Sequence, residues 1–207
     1  MALFKVKPWY KKKGMGVLSY YGTTTPLSTA RTYLAAASVG DYALFGGGMT
    51  TAVFSTVDIY DKSLSKLTSG ALKAAVYGLA ATSTSDYALF GGGYVSSSSY
   101  SRYVNAYNKS LSRTSPANLT YGRMYLAAAS IDDYALFGGG VSTSSTYYSD
   151  VDVYDKSLTK LSSTFLHAAK YNLAATSVGN YALFGGGMNY NSGAITYTNT
   201  VDAYYES

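Results

Sequence analysis

The string YALFGGG, residues 42–48, returns letter for letter at residues 87–93, 134–140 and 181–187, with offsets of 45, 47 and 47 residues. A heptapeptide repeated at that period marks one supersecondary unit copied along the chain, because such a unit cannot bury its apolar face alone and must stack on its neighbours. Within the motif Tyr42, Ala43, Leu44 and Phe45 form an apolar run with no alternation to charge. That is the pattern of a strand covered on both faces. The triple glycine marks a place where the strand bends sharply or another backbone comes close, which a Cβ would obstruct.

The same frame surrounds every copy. An apolar run of small residues precedes it (residues 34–38, 79–83, 126–130 and 173–177), followed by a short turn ending in Asp41, Asp86, Asp133 or Asn180. After the glycines comes a variable Ser/Thr/Tyr segment, then V-[DN]-x-Y beginning at Val57, Val104, Val151 and Val201, then a Ser/Leu/Lys stretch such as SLSKLT at residues 63–68. The runs are short, rich in β-branched and aromatic residues and bounded by Gly, Asp, Asn or Ser, so each repeat reads as four strands. The fourth strand is expected on the Ser/Leu/Lys stretch, where Lys66, Arg113 and Lys160 would protect an exposed sheet edge.

This order of a hydrophobic strand, a turn, a strand ending in glycines and a tyrosine ahead of an outer strand resembles the kelch repeat. Leu67, Thr114 and Leu161 stand where kelch repeats usually carry Trp. The resemblance implies an all-β four-bladed β-propeller with four-stranded antiparallel blades over approximately residues 30–68, 76–115, 123–162 and 170–207. The last repeat ends before a fourth strand. The strand-like segment at residues 16–22, centred on Val17 to Tyr21, is therefore expected to complete the last blade and close a propeller domain over residues 16–207; the rival geometry gives that strand to a neighbouring subunit.

Of the 16 Lys and Arg residues, Lys5, Lys7, Lys11, Lys12 and Lys13 lie in the first 15, and the remaining eleven balance the eleven acidic residues. The net charge of +5 thus belongs to an N-terminal arm over residues 1–15, and a neutral body does not suit phosphate neutralisation, so nucleic acid is not expected to bind it. Phe4, Trp9 and Tyr10 add aromatic anchors, which reads as a docking arm carried by Lys5, Lys7, Trp9, Tyr10, Lys11, Lys12 and Lys13. There is no cysteine, no apolar stretch long enough for a membrane span, and no apolar core to the N-terminus of the kind a secretory signal carries.

Catalysis needs clustered titratable groups, and the chain has one His and one Glu. His167 stands where the other repeats place Ser28, Lys73 and Thr120, which is a surface position and not a base. Asp132, Asp133, Asp150, Asp152 and Asp155 are the densest acidic group, but Asp133 and Asp152 are frame residues with turn and blade roles. No catalytic residue, metal site or cofactor is therefore expected; the glycines lack the following helix that a phosphate cradle requires. What varies is the segment after the glycines, at residues 49–56, 94–103, 141–150 and 188–200. Tyrosines on a constant frame are what recognition surfaces use, so Tyr94, Tyr100, Tyr147, Tyr148, Tyr190 and Tyr197 are the expected ligand contacts. Arg31, Arg123 and Lys170, with Val76 the exception, precede the first strands and could line one mouth of the ring.

The near-identical Ala/Gly/Tyr repeats resemble kelch-like repeats of bacterial and bacteriophage surface proteins. The resemblance implies a non-enzymatic structural or binding module, localised to a virion as a capsid decoration, tail or fibre component, held to other proteins of the assembly by residues 1–15 and presenting Tyr/Ser loops. A stand-alone glycan-binding lectin or adhesin and a propeller-type glycosidase are the rival readings, and a homo-oligomer is an open possibility.

Overall fold

The computed structural model describes residues 19–96, 99–143, 146–191 and 194–206. Among them there is no helix; the architecture is all-β and propeller-like, a succession of antiparallel sheets with one repeat in each. The first sheet holds Ala35–Val39, Tyr42–Gly46, Thr56–Tyr60 and Gly70–Ala71 in that order. The second holds Ala80–Ser83, Tyr87–Gly91, Val104–Asn108 and Arg113–Thr114, and the third Ala127–Ile131, Tyr134–Gly138, Asp150–Tyr154 and Thr164–Phe165. The fourth has three described strands, Ala174–Val178, Tyr181–Gly185 and Val201–Tyr205. In three repeats the variable segment folds as a two-stranded ribbon: Tyr94–Ser96 with Ser99–Tyr100, Val141–Thr143 with Thr146–Tyr147, and Met188–Asn191 with Ala194–Tyr197.

Register follows from the turns. Val39 pairs with Tyr42 across Gly40 and Asp41, with Gly40 at a φ of 55°, and this puts Ala36 opposite Phe45 and Ala37 opposite Leu44. A leucine thus faces one side of every sheet and a phenylalanine the other. Consecutive sheets stack so that the leucine side of one meets the phenylalanine side of the next. Val39, Leu44, Val57 and Ile59 of the first sheet pack with Val76, Leu79, Ala88, Phe90 and Tyr107 of the second repeat, and equivalent clusters join the second to the third and the third to the fourth. Each fully buried Phe contributes about 1.5–3 kcal/mol by leaving water.

The glycine triplet does both things its sequence allows. A Cβ added at Gly46 would lie 2.9 Å from the Phe90 ring, at Gly91 2.8 Å from Phe137, and at Gly138 2.8 Å from Phe184, so this glycine seats the aromatic of the next sheet. The second and third glycines turn left-handed, with φ of 70° and 100° at Gly47 and Gly48, and the Gly48 amide donates to the Val76 carbonyl of the next repeat at 2.8 Å.

Two sequence expectations are corrected. The SLSK stretch is a tight turn, because the Asp61 carboxylate accepts the amides of Ser63 and Ser65 and Leu64 is left-handed, so the fourth strand of the first repeat starts only at Gly70 and that of the third at Thr164. Lys66 and Lys160 are not edge guards: each forms an ion pair with a buried aspartate, Asp58 and Asp152. The expected closing strand, where it is described at residues 19–22, pairs with no sheet, and Tyr20 and Tyr21 are 85% and 83% exposed. The chain that follows meets the first repeat, where Thr24 donates to the Leu64 carbonyl at 2.7 Å and the Tyr60 hydroxyl donates to the Thr25 carbonyl at 2.8 Å, as the Tyr107 and Tyr204 hydroxyls donate to Ala71 and Phe165 of the sheets before them. The fourth sheet stays three-stranded among the described residues, and no sheet closes on itself.

Candidate functional site

The segment leading into each first strand carries R-T-Y-L, V-Y-G-L, R-M-Y-L and K-Y-N-L. Its third position, Tyr33, Gly78, Tyr125 and Asn172, is left-handed in all four repeats, with φ between 52° and 64°. That conformation turns the backbone so that one hydrogen bond links each repeat to the next: Gly78 to the Tyr33 carbonyl at 2.9 Å, Tyr125 to Gly78 at 2.8 Å and Asn172 to Tyr125 at 2.9 Å. Left-handed tyrosine is strained by about 1–3 kcal/mol, and the ladder and the packing hold it in place. Around the ladder lies a pocket of about 200 Å³ lined by all four repeats, with Tyr33, Gly78, Tyr125 and Asn172 each followed by its leucine.

Tyr33 and Tyr125 line this pocket, and their rings belong to one connected group of tyrosines. Tyr33 lies 6.0 Å from Tyr77 and 6.1 Å from Tyr125 between ring centroids; Tyr77 continues to Tyr94 at 5.3 Å and Tyr94 to Tyr100 at 5.2 Å in an edge-to-face contact. Tyr77 and Tyr94 are also bridged through their backbones, which fixes the first ribbon over the platform. Burial, and after it the neighbouring phenols Tyr94, Tyr77 and Tyr148, pushes the Tyr100 hydroxyl above its ordinary pKa; burial with Tyr33 and Tyr77 does the same for Tyr125. The Tyr100 and Tyr125 hydroxyls therefore stay neutral donors and acceptors beside half-buried rings. That combination suits ligands offering both C–H faces and hydroxyls.

Of the residues expected from sequence, Tyr94 and Tyr100 enter this platform. Tyr147 stacks on Tyr171 at 5.4 Å and Tyr148 on Tyr121 at 4.9 Å, with the Tyr148 hydroxyl 2.8 Å from that of Ser142. Tyr190 and Tyr197 project from the last ribbon, 47% and 79% exposed. The arm residues Lys5, Lys7, Trp9, Tyr10, Lys11, Lys12 and Lys13 lie outside the described residues. Sequence reasoning missed Tyr33, Tyr77, Tyr121, Tyr125 and Tyr171. The signal for four of them was present, a tyrosine just ahead of the leucine that opens each first strand.

Arg31, Arg123 and Lys170 do not line a mouth. They turn inward to the aspartate of V-[DN]-x-Y: Arg31 to Asp58 at 2.8 Å, Arg123 to Asp152 at 2.8 Å and Lys170 to Asp202 at 2.7 Å. In the second repeat the basic residue is Val76 and the acid is Asn105, whose side-chain oxygen accepts the Lys73 amide at 2.8 Å and Arg113 at 3.1 Å. Charge is thus removed from both partners together. Burial alone would raise the Asp152 carboxyl, but Arg123, Lys160 and Thr120 outweigh it and hold it below the usual carboxylate range; Lys66, Ser28 and Arg31 do so for Asp58. These carboxylates are structural, fully enclosed and turned away from solvent. His167 lends its backbone amide to Asp202 at 2.7 Å. Among the described residues no group of three or more His, Cys, Asp or Glu side chains could hold a metal, and no helix is long and apolar enough to cross a membrane.

A larger cavity of about 430 Å³ opens between the third and fourth sheets, against Ile131, Leu136, Val153 and Leu161. Leu111 packs on the equivalent residues Val39, Leu44 and Ile59 between the first two sheets, so this cavity is a feature of sheet stacking rather than a specific site.

No family model matches the chain, and no curated protein matches it. Among solved structures it is similar to one described as the structure of YjhT, at 13% identity and a TM-score of 0.70, covering 84% of this chain and 68% of that one. At that identity the likeness speaks for the fold, an all-β propeller-like arrangement of antiparallel sheets.

Proposed function

We propose that this chain is a non-enzymatic binding and structural module, a kelch-like propeller of four blades whose recognition surface is the tyrosine platform at the centre of the arc. The observation that carries this reading is the connected set Tyr33, Tyr77, Tyr94, Tyr100 and Tyr125 over a pocket to which every repeat contributes. Tyr33 is exposed and the other four rings are half-buried, and rings held by a rigid frame bind ring-shaped ligands with little loss of side-chain entropy. Burial of Asp58 and Asp152 in ion pairs supports a structural role for them over a glycosidase pair.

A part in a larger particle such as a virion, with residues 1–15 docking on other proteins, fits the neutral body and its basic aromatic arm. The lectin reading is favoured by the platform itself. Glycan-array binding by the purified chain, weakened tenfold or more by Tyr33→Ala together with Tyr100→Ala at unchanged circular dichroism, supports it; binding indifferent to both substitutions overturns it. Deletion of residues 1–13 separates the two settings, since loss of particle incorporation with glycan binding intact identifies the arm as the anchor.

A further inference from the structure

Three times along the chain the same two surfaces meet. One is the leucine side of a sheet, where a glycine seats a phenylalanine ring, the next glycine lies against a leucine, and the third donates its amide to a carbonyl. The donors Gly48, Gly93 and Gly140 reach Val76, Arg123 and Lys170, each at 2.8 Å. The other surface is the phenylalanine side of the following sheet. The first sheet has an uncovered phenylalanine side and the fourth an uncovered leucine side. Phe90, Phe137 and Phe184 are fully buried, whereas Phe45 is only half-buried and Ala43 beside it is exposed. Val57, Val104 and Val151 are fully buried, whereas Val201 is 62% exposed.

The uncovered side of the fourth sheet is shaped like the other three. Gly185 and Gly186 open onto an apolar cavity of about 400 Å³ lined by Ala174, Ala175, Leu183 and Val201. Among the described residues a Cβ on Gly185 would meet only Val201 of its own sheet, at 3.3 Å, so none of them requires glycine there. Phe45 likewise has no glycine to sit on. Among the described residues the Gly187 amide and the Arg31 carbonyl, equivalent to the three donor–acceptor pairs, have no counterpart, and the one-bond ladder is open at the Tyr33 amide and the Asn172 carbonyl.

We infer that the fourth sheet binds the first sheet of a second copy of this chain, with Phe45 seated on Gly185 and Leu34 against Gly186. The occupant follows from the three interfaces already formed, since among the described residues the first sheet is the surface with the matching phenylalanine, leucine and free carbonyl. Among the described residues the first and fourth sheets do not cover each other, as the exposure of Ala43 and Val201 shows, so both surfaces are open to a second copy. The contact is heterologous, so copies add head to tail and form a ring if the rotation closes or an open chain if it does not.

The test uses the full chain and light scattering after size exclusion over a range of concentrations. Wild type is expected to form species at multiples of 22.0 kDa. Gly185→Arg and Phe45→Arg each block one surface and leave the other intact, so each alone is expected at 22.0 kDa, while their equimolar mixture forms a species of twice that mass and nothing larger. Gly185→Ala, which the fold of its own chain accommodates, is expected to weaken wild-type association by about tenfold or more. A wild type that stays monomeric overturns the inference, as does association that survives both arginine substitutions, or a mixture that remains at monomer mass.

Discussion

Replacing Asp152 with Asn removes the counter-charge of Arg123, whose side chain, like that of Asp152, is fully buried. The guanidinium is poorly served even in the native chain. It donates to Asp152 at 2.8 Å and to the Phe137 carbonyl at 3.0 Å, while Nε and Nη1 are buried with no hydrogen-bond partner among the described residues. Burial accordingly pushes the pKa of Arg123 down. Without Asp152 the site would hold Arg123 and, 2.8 Å from the lost carboxylate, Lys160, two cations facing a neutral amide. Orphaning a buried charge costs about 3–5 kcal/mol, a large share of the roughly 5–15 kcal/mol that stabilises a domain. Arg123→Val should cost less, since Asp152 keeps Lys160 and Thr120. The double variant recreates Val76 and Asn105 of the second repeat, where Arg113 stands in for Lys160, so it should be more stable than Asp152→Asn alone, with a coupling of about 2 kcal/mol or more. Urea unfolding followed by circular dichroism measures all four corners of the cycle. Additive losses would show that the exchange of charge between repeats has no energetic basis.

Gly138→Ala places a Cβ 2.8 Å from the Phe184 ring inside a packed interface and should lower stability by about 1–3 kcal/mol, whereas Gly185→Ala, 3.3 Å from the exposed Val201, should change it by less than about 0.5 kcal/mol in the monomer; thermal unfolding of both compares them directly. The Asp58 and Asp152 carboxyls are held below their unfolded range, so their contribution is present above the unfolded value of about 3.9 and is lost as pH falls below it; urea midpoints should drop through that window, less steeply in the double variant. The opposite end has the opposite sign. Burial holds Tyr107 and Tyr154 up, and burial with the Asp202 charge pushes Tyr204 up to about 12, so folding favours the neutral phenols and stability should decline above about pH 10, where unfolded tyrosines ionise. A part of the tyrosinate absorbance that rises only with unfolding, after the exposed phenols have titrated, would bear this out, and titration of all the phenols in the folded chain would refute it.

Much of the fold was legible because the repeat is. A motif such as YALFGGG states a strand, a turn and a close approach at once, and four copies made the periodic roles of Leu44, Phe45 and Gly46 readable before any coordinates. The fourth strand was misplaced because Lys66 and Lys160 look like edge residues in one dimension, while the decisive interaction, Asp61 capturing the amides of Ser63 and Ser65, is local turn chemistry. Closure is not shown by the described residues: residues 19–22 pair with no sheet, and a β-like composition at residues 16–22 does not by itself say which sheet edge the segment joins. Half of the candidate site was missed by looking where the repeats differ. Tyr33, Tyr77 and Tyr125 belong to the constant frame.

The exchange of Arg/Asp for Val/Asn links these two halves of the problem. A site needed once in the whole molecule would be expected to single out one repeat; a buried charge pair present in the first, third and fourth repeats and replaced on both sides by Val76 and Asn105 in the second behaves as a packing element. The tyrosines follow the other logic. At the left-handed position Tyr33 and Tyr125 alternate with Gly78 and Asn172, so the frame conserves the backbone turn while the side chains alternate between ring and gap around one pocket. Gly78 leaves the space that Tyr125 occupies, since a Cβ there would meet its ring at 3.1 Å. Stability asks every repeat for the same turn, and the alternation of ring and gap lets the Tyr125 ring pack beside Gly78.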